Sequence, residues 1–383
     1  MTIQSLSKPI EASPFYISKL NFDNFRNYCS LSLSVDQTPI VLTGQNGSGK
    51  TNILEAISFL SPGRGLRKIK LQEADRVGGN NPWSISALVN HSYKEVRIGT
   101  GRDGASDSKR IVKVDGEVLK SQAELANMFS VMWLTPQMDG IFIGSSSDRR
   151  KFLDRLVYNF DPEHASRIYS YEYTMRERAK LLQKNGDGQW LSVLENKLAE
   201  RVVAIAAARI DAVETIQAAI YESNTAFPKA IITVEGAVEA LLTENSALAA
   251  EEIIRKQLFE SRSYDYATGR TGVGTHRSDF AVTHKDKNMP AASCSTGEQK
   301  ALLLSIILAE ARAKAVWKNS VPVLLLDEVV AHLDDTRRAS LFHELIDMKT
   351  QVWMTGTDLS LFEGMQGKAQ FFEVSDGKVK ISL

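Results

Sequence analysis

A glycine loop, Gly44-Gln45-Asn46-Gly47-Ser48-Gly49-Lys50-Thr51, constrains this chain more than any other feature. Its spacing is G-x-x-x-x-G-K-[ST], the P-loop. The apolar run Ile40–Thr43 leads into it, and Ile53, Leu54, Ile57 and Leu60 follow at helical spacing. Strand, tight turn and helix in that order demand an α/β sheet with the loop at a strand end. The glycines let the backbone curl so that successive N–H groups face phosphate oxygens, and the helix start adds its positive end. Lys50 brings a compact charge to the β- and γ-phosphates, and the Thr51 hydroxyl can ligate Mg²⁺. A glycine turn matching by chance is the alternative; the flanking strand and helix argue against it.

The 383 residues exceed one ordinary core, so two domains, or one with a large insertion, are expected. At 43% hydrophobic and 24% charged residues, the composition excludes disorder, collagen and coiled-coil fibre. The longest apolar runs fall short of a membrane span, and Met1–Pro14 lacks the pattern of a signal peptide. Cys29 and Cys294 are too few for a disulfide framework, so a reducing cytoplasm is the default. Forty-six basic residues balance 46 acidic ones, so any DNA binding must come from local patches.

From about Phe15 to Ser145, short β-like runs alternate with turns. Strands are expected at Trp83–Val89, Val96–Thr100 and Ile111–Leu119, the last turned at Asp115-Gly116. From about Ser146 to Arg270 the pattern is helical. Neither Gly nor Pro occurs from Gln189 to Phe227, and apolar residues from Leu191 to Ile220 recur in steps of three and four. That spacing predicts one long amphipathic helix, with a second helical stretch at Val238–Glu260. Alternation then returns, with strands expected at Phe280–Thr283, Val321–Leu326, Gln351–Thr355 and Phe371–Val374, and helices at Gly297–Ala313 and Asp335–Met348. The expected organisation is an α/β ATPase domain in two parts, 1–145 and 271–383, with a mainly helical lobe inserted at 146–270.

Val323-Leu324-Leu325-Leu326-Asp327-Glu328 reads as the other half of the P-loop site. A continuous apolar run suits a strand buried on both faces, and ligands of open α/β sheets gather at its carboxyl end. Asp327 would hold Mg²⁺ and Glu328 would act as base toward the attacking water. Ser295-Thr296-Gly297-Glu298-Gln299-Lys300, ahead of a long apolar helix, resembles the signature motif of ABC-type ATPases. It offers a hydroxyl, an unobstructed glycine N–H and a helix N-terminus to an anion, and Ser295 with Glu298 is equally a capping box. Ala331-His332-Leu333-Asp334 resembles the D-loop of the same ATPases. The long interval between Lys50 and Ser295 is unlike transporter subunits and similar to SMC-like repair ATPases.

Blocks across nearly the whole chain then resemble the RecF family. They are Leu20–Tyr28, Gly63-Arg64-Gly65-Leu66-Arg67, Asp148–Asp154, Gly274–Asp279 and Leu324–Arg338, in family order. Departures are Thr275 where the family usually has Pro, the variant signature, and His332 in the D-loop. Met354–Asp358 also lacks the switch histidine of transporter ATPases, which suits slow hydrolysis. The resemblance implies a weak, DNA-stimulated ATPase that uses ATP and Mg²⁺. Ser295, Gly297, Gln299 and Asp334 of one chain would complete the ATP site of a head-to-tail partner, giving an ATP-dependent homodimer. It further implies recognition of gapped or single-strand/double-strand junction DNA, and help in loading RecA with RecR and RecO. Gln137 sits at the expected Q-loop, where its amide could sense Mg²⁺ and the γ-phosphate; a plain polar loop residue is as good a reading. For His276 a structural role is favoured over catalysis.

Two basic clusters are candidates for DNA: Arg64, Arg67, Lys68 and Lys70, and then Arg149, Arg150 and Lys151 with tyrosines downstream. A solvated helix face explains the second equally well. Three other functions compete. A transport ATPase subunit would co-purify with a membrane protein. The head of an SMC-related nuclease would need a longer insertion than a helix of roughly 58 Å. An ATP-gated scaffold with vestigial hydrolysis is separated only by ATPase rate with and without gapped DNA.

Overall fold

The computed structural model describes residues 13–79, 81–91, 94–104, 109–121 and 124–382, so most of the Met1–Pro14 start lies outside the described residues. The chain forms two compact units. One comprises Met1–Asp139, Glu222–Pro228 and Ser295–Leu383, the other Gly140–Tyr221 and Lys229–Cys294.

The first unit is built on two six-stranded sheets. One runs in the order Lys378–Ser382, Gln370–Ser375, Ile40–Thr43, Val352–Gly356, Val323–Leu326, Val131–Leu134, parallel except for its edge hairpin. Its central strands are buried along their whole length, and mostly apolar, because both faces are covered. The other sheet is antiparallel, in the order Tyr28–Ser34, Tyr16–Phe25, Ser84–His91, Lys94–Arg102, Arg110–Val114, Glu117–Val118. One hydrophobic cluster joins them. Phe22, Phe25 and Trp83 come from the antiparallel sheet or its approach, Leu325 and Trp353 from the parallel one, and Ile53, Leu54 and Ile57 from the helix Lys50–Ser58. The helical spacing seen in the sequence is thus the buried face of that helix. Burying each such side chain contributes about 1.5–3 kcal/mol, so the helix and its loop are firmly seated.

The expected strand Val321–Leu326 is interrupted. Ser320–Val321 pairs in parallel with Ser13–Pro14, and only Val323–Leu326 joins the large sheet. Pro322 between them has no N–H to give a ladder.

The second unit is mainly helical, with Ser146–Tyr158, His164–Gln183 and the long Gly188–Glu222, whose 35 residues span about 52 Å. The expected helix over Val238–Glu260 is two, Ala237–Glu244 and Ala247–Glu260. Asn245 is extended and Ser246 caps the second helix by accepting from the Ala249 N–H, a competition these polar residues commonly win. A strand unforeseen in the helical stretch, Ala230–Glu235, pairs antiparallel with Asp279–His284, which pairs in turn with Met289–Pro290. At the helix ends, the fully buried Arg178 binds Glu195 and Asp265 and donates to the Leu258 carbonyl. Arg262 holds the remaining Glu195 oxygen at 2.6 Å.

Candidate functional site

Gly44–Thr51 leaves the central strand Ile40–Thr43 and runs into the helix Lys50–Ser58. Two glycines are required by close approach and by backbone conformation together. At Gly44, φ is +147°, and a Cβ would stand 2.2 Å from the Val374 carbonyl oxygen. At Gly49, φ is +113°, and a Cβ would press on Asn27 and Tyr28 at 2.7 Å. Gln45, Asn46 and Gly47 are exposed. No side chain caps the helix at Gly49, so its first N–H groups have no competing side-chain acceptor there. The Ser48 hydroxyl is buried without a hydrogen-bond partner among the described residues. A helix start without a side-chain cap, and an orphaned hydroxyl beside it, fit a phosphate group.

Lys50 is buried and its Nζ donates to the loop's own carbonyls, Gly44 at 2.7 Å and Gln45 at 2.9 Å. Burial pulls its ammonium below the ordinary lysine range, while Glu328 and then Asp327 counteract part of that shift.

Asp327 ends the strand Val323–Leu326 and is buried. Thr51 Oγ1 lies 2.9 and 3.1 Å from its two carboxylate oxygens, closing a contact between segments 276 residues apart. Thr355, at the end of the neighbouring strand Val352–Gly356, donates its hydroxyl to Asp327 Oδ1 at 2.8 Å and accepts from the Glu328 N–H at 2.9 Å. Glu328 is held at φ +55°, in the left-handed region. A hydroxyl and a carboxylate facing one another are hard oxygen donors of the kind Mg²⁺ takes. Beside them a hollow is lined by Thr135, Pro136, Asp327, Glu328, Lys300 and His332, among others. Gln137 is exposed on the turn Pro136–Met138 at that hollow's margin in sequence.

The Leu20–Tyr28 block has a physical task that sequence reasoning did not assign. The strands Tyr16–Phe25 and Tyr28–Ser34 form a hairpin whose tip braces the glycine loop. Asn27 donates to the Ser48 carbonyl and accepts from Asn52, and Tyr28 donates to the Gly49 carbonyl. Arg26, at φ +55°, makes a bidentate pair with the fully buried Glu55 of the P-loop helix. Arg67 binds the same carboxylate at 3.0 Å and also Asn52. Spacing alone does not reveal these contacts; a polar triplet at a hairpin tip was the available signal.

Ser295 caps the helix Thr296–Lys318 in the expected capping box with Glu298. Ser295 and Gly297 are exposed, and the space beside Gly297 is open. Gln299, in contrast, is buried. Asp334 is exposed and caps Asp335–Asp347 by accepting from the Arg337 N–H. Among the basic candidates, Arg64, Lys68 and Lys70 are exposed, whereas Arg67 is engaged with Glu55. Arg149 is bound bidentately by Asp279 and donates to the Phe142 and Gly144 carbonyls. Arg150 donates to the Ser278 carbonyl, and Lys151 stays largely exposed beside Asp148. His276 is held between Tyr171, at 2.6 Å, and the Thr271 carbonyl, at 2.9 Å, and burial lowers its pKa.

Comparison with known proteins agrees in sequence and in fold. The RecF/RecN/SMC N terminal domain family matches residues 16–380. The DNA replication and repair protein RecF of Brucella suis biovar 1 (strain 1330) is 46% identical over 376 residues, covering 97% of this chain and 98% of that protein. Its namesake from Mesorhizobium japonicum is 44% identical over 368 residues, covering 95% and 97%. A solved structure of the recombination mediator protein RecF with ATP, in the RecFOR pathway, superposes with a TM-score of 0.82 at 26% identity. That superposition covers 97% of this chain and 100% of the other.

Proposed function

This chain belongs to the RecF family, and from that premise we propose that it is an ATP-gated clamp for DNA in recombination and repair. ATP binding and hydrolysis are the properties of the family's ATPase fold; the finer assignments are our own. The observation that carries them is the hydrogen bond from Thr51 to Asp327, which joins the glycine loop to the acidic strand end.

The loop N–H groups and the helix start take the phosphates, and Lys50 exchanges the Gly44 and Gln45 carbonyls for the β- and γ-phosphates. Thr51 and Asp327 would hold Mg²⁺, which when bound supplies positive charge against the phosphates. Glu328 accepts a proton from the water that attacks the γ-phosphorus; the bond to the β-phosphate oxygen breaks, leaving ADP and phosphate. Gln137, exposed on the turn Pro136–Met138, would sense Mg²⁺ and the γ-phosphate through its amide.

Ser295 and Gly297, exposed at an unobstructed helix start, meet the nucleotide of a head-to-tail partner, and Asp334 lies on the same shared boundary. Gln299 would join them only after turning out of its buried position. ATP thereby favours the closed homodimer through contacts that ADP lacks. Arg64, Lys68 and Lys70 supply backbone contacts to gapped or junction DNA, with RecR, RecO and RecA acting in the same process. Binding without a base-reading element is structure-selective and weakens with salt.

A gapped duplex titrated with ATP or ADP tests the proposal. Affinity should be at least about tenfold higher with ATP, and should fall linearly with log salt at a slope near −0.9 per phosphate contacted. Equal affinity with both nucleotides would contradict ATP gating.

A further inference from the structure

Within that reading of the site, we propose that Thr355 is the positioning residue that fixes Asp327 and aims Glu328, coupling the Mg²⁺ carboxylate to the proposed base through one buried hydroxyl. Thr355 is fully buried at the end of Val352–Gly356, next to the strand that delivers Asp327. A hydroxyl has one proton to give and lone pairs to accept with. Here the proton goes to Asp327 Oδ1 at 2.8 Å, and a lone pair takes the Glu328 N–H at 2.9 Å. Both capacities are therefore committed to two successive acidic residues.

Each bond does a separate task. The first acts on a carboxylate oxygen that also faces Thr51, and so limits rotation of the group that must meet the metal. The second ties down the amide of a non-glycine residue at φ +55°, a conformation of limited stability for any side chain with a Cβ. Release of that amide lets Glu328 relax away from the φ that sets its side-chain direction. Thr51 can still hold Asp327 without Thr355, and neither bond involves a residue from Gly44 to Lys50. Loss of the hydroxyl should therefore fall on turnover more than on ATP binding.

The test uses the full chain with Thr355→Val, Thr355→Ser and Lys50→Ala, comparing ATP affinity by fluorescent-nucleotide titration, kcat, and lifetime of the ATP-bound dimer. Thr355→Val should lose about 10- to 100-fold in kcat, the range for a removed hydrogen bond to a charged group, and keep ATP affinity within about threefold. Its ATP-bound dimer should outlive the parent's. Thr355→Ser, which keeps the hydroxyl, should restore kcat to within about threefold. Equal losses in the Val and Ser variants would show that the fit of the whole side chain, and not the hydroxyl, sets turnover, and would overturn the proposal. So would parallel losses of affinity and kcat in Thr355→Val. If Thr355→Val does not fold, Thr355→Ala removes the same hydroxyl, and the Ser variant must still turn over like the parent. Lys50→Ala separates the two levels: unchanged ATP affinity there would refute the nucleotide site itself, whatever Thr355 does.

Discussion

Glu328 concentrates the chemistry of the proposed reaction in one strained residue. It follows the buried Asp327, sits at φ +55° and lines the hollow beside Thr135 and Pro136. Replacing it by glutamine keeps size but removes the proton acceptor, so Glu328→Gln should slow hydrolysis about 10²–10⁴-fold. ATP binding should survive, because the glycine loop is untouched, and the ATP-bound dimer should accumulate. Turnover and release from gapped DNA after an ATP chase are the quantities to follow together. Normal turnover would show that another residue activates the water. Slow turnover with an unchanged dimer lifetime would favour the scaffold with vestigial hydrolysis. At this scale the residues named from the sequence were those whose motifs are local, Lys50, Thr51 and Asp327. Asn27, Tyr28 and Thr355 escaped because their roles are contacts between distant segments, such as Tyr28 with Gly49. Arg149 shows the converse: a basic run pointed to DNA, yet its guanidinium is taken by Asp279.

Elements were legible where periodicity was long and unbroken. The stretch free of Gly and Pro, Gln189–Phe227, is helical as far as Glu222, in the helix Gly188–Glu222, and the strand before the loop kept its predicted limits, Ile40–Thr43. Breaks were harder to read, since Pro322 and the Asn245-Ser246 pair each outweigh an apolar pattern that continues across them. The strand Ala230–Glu235 was missed because its pairing partner, Asp279–His284, is distant in sequence. Among the helices of the second unit, the ionic contacts of Arg178 are buried on both sides, with side chains of Glu195 and Asp265 almost fully enclosed. Arg178→Ala leaves Asp265 charged and without its main partner, which should destabilise that unit by about 3–5 kcal/mol. Lys180→Ala on the same helix removes an exposed pair with Glu177 and should change stability by less than about 0.5 kcal/mol. Urea unfolding followed by far-UV circular dichroism distinguishes them; equal midpoints would show that the buried ions are dispensable to the packing.

For the whole molecule, equal numbers of acidic and basic residues leave no general field to draw DNA in, so local groups and nucleotide state must set its affinity. No helix among the described residues is long and apolar enough to cross a membrane. The glycine loop and the signature helix start are complementary halves, one carrying a buried lysine and the other an exposed serine and glycine. In the proposed dimer each chain lends its signature to the other's nucleotide. Light scattering of Lys50→Ala and Ser295→Arg, alone and mixed, with ATP and Mg²⁺, asks most directly whether two chains share the site. Neither variant alone can build an intact site, so each should remain monomeric, while Ser295→Arg still binds ATP. Mixed, they retain one intact loop facing one intact signature, and partial dimerisation should return. Parent-like dimerisation of Ser295→Arg alone, or a mixture that stays monomeric under conditions where the parent dimerises, would contradict the shared site.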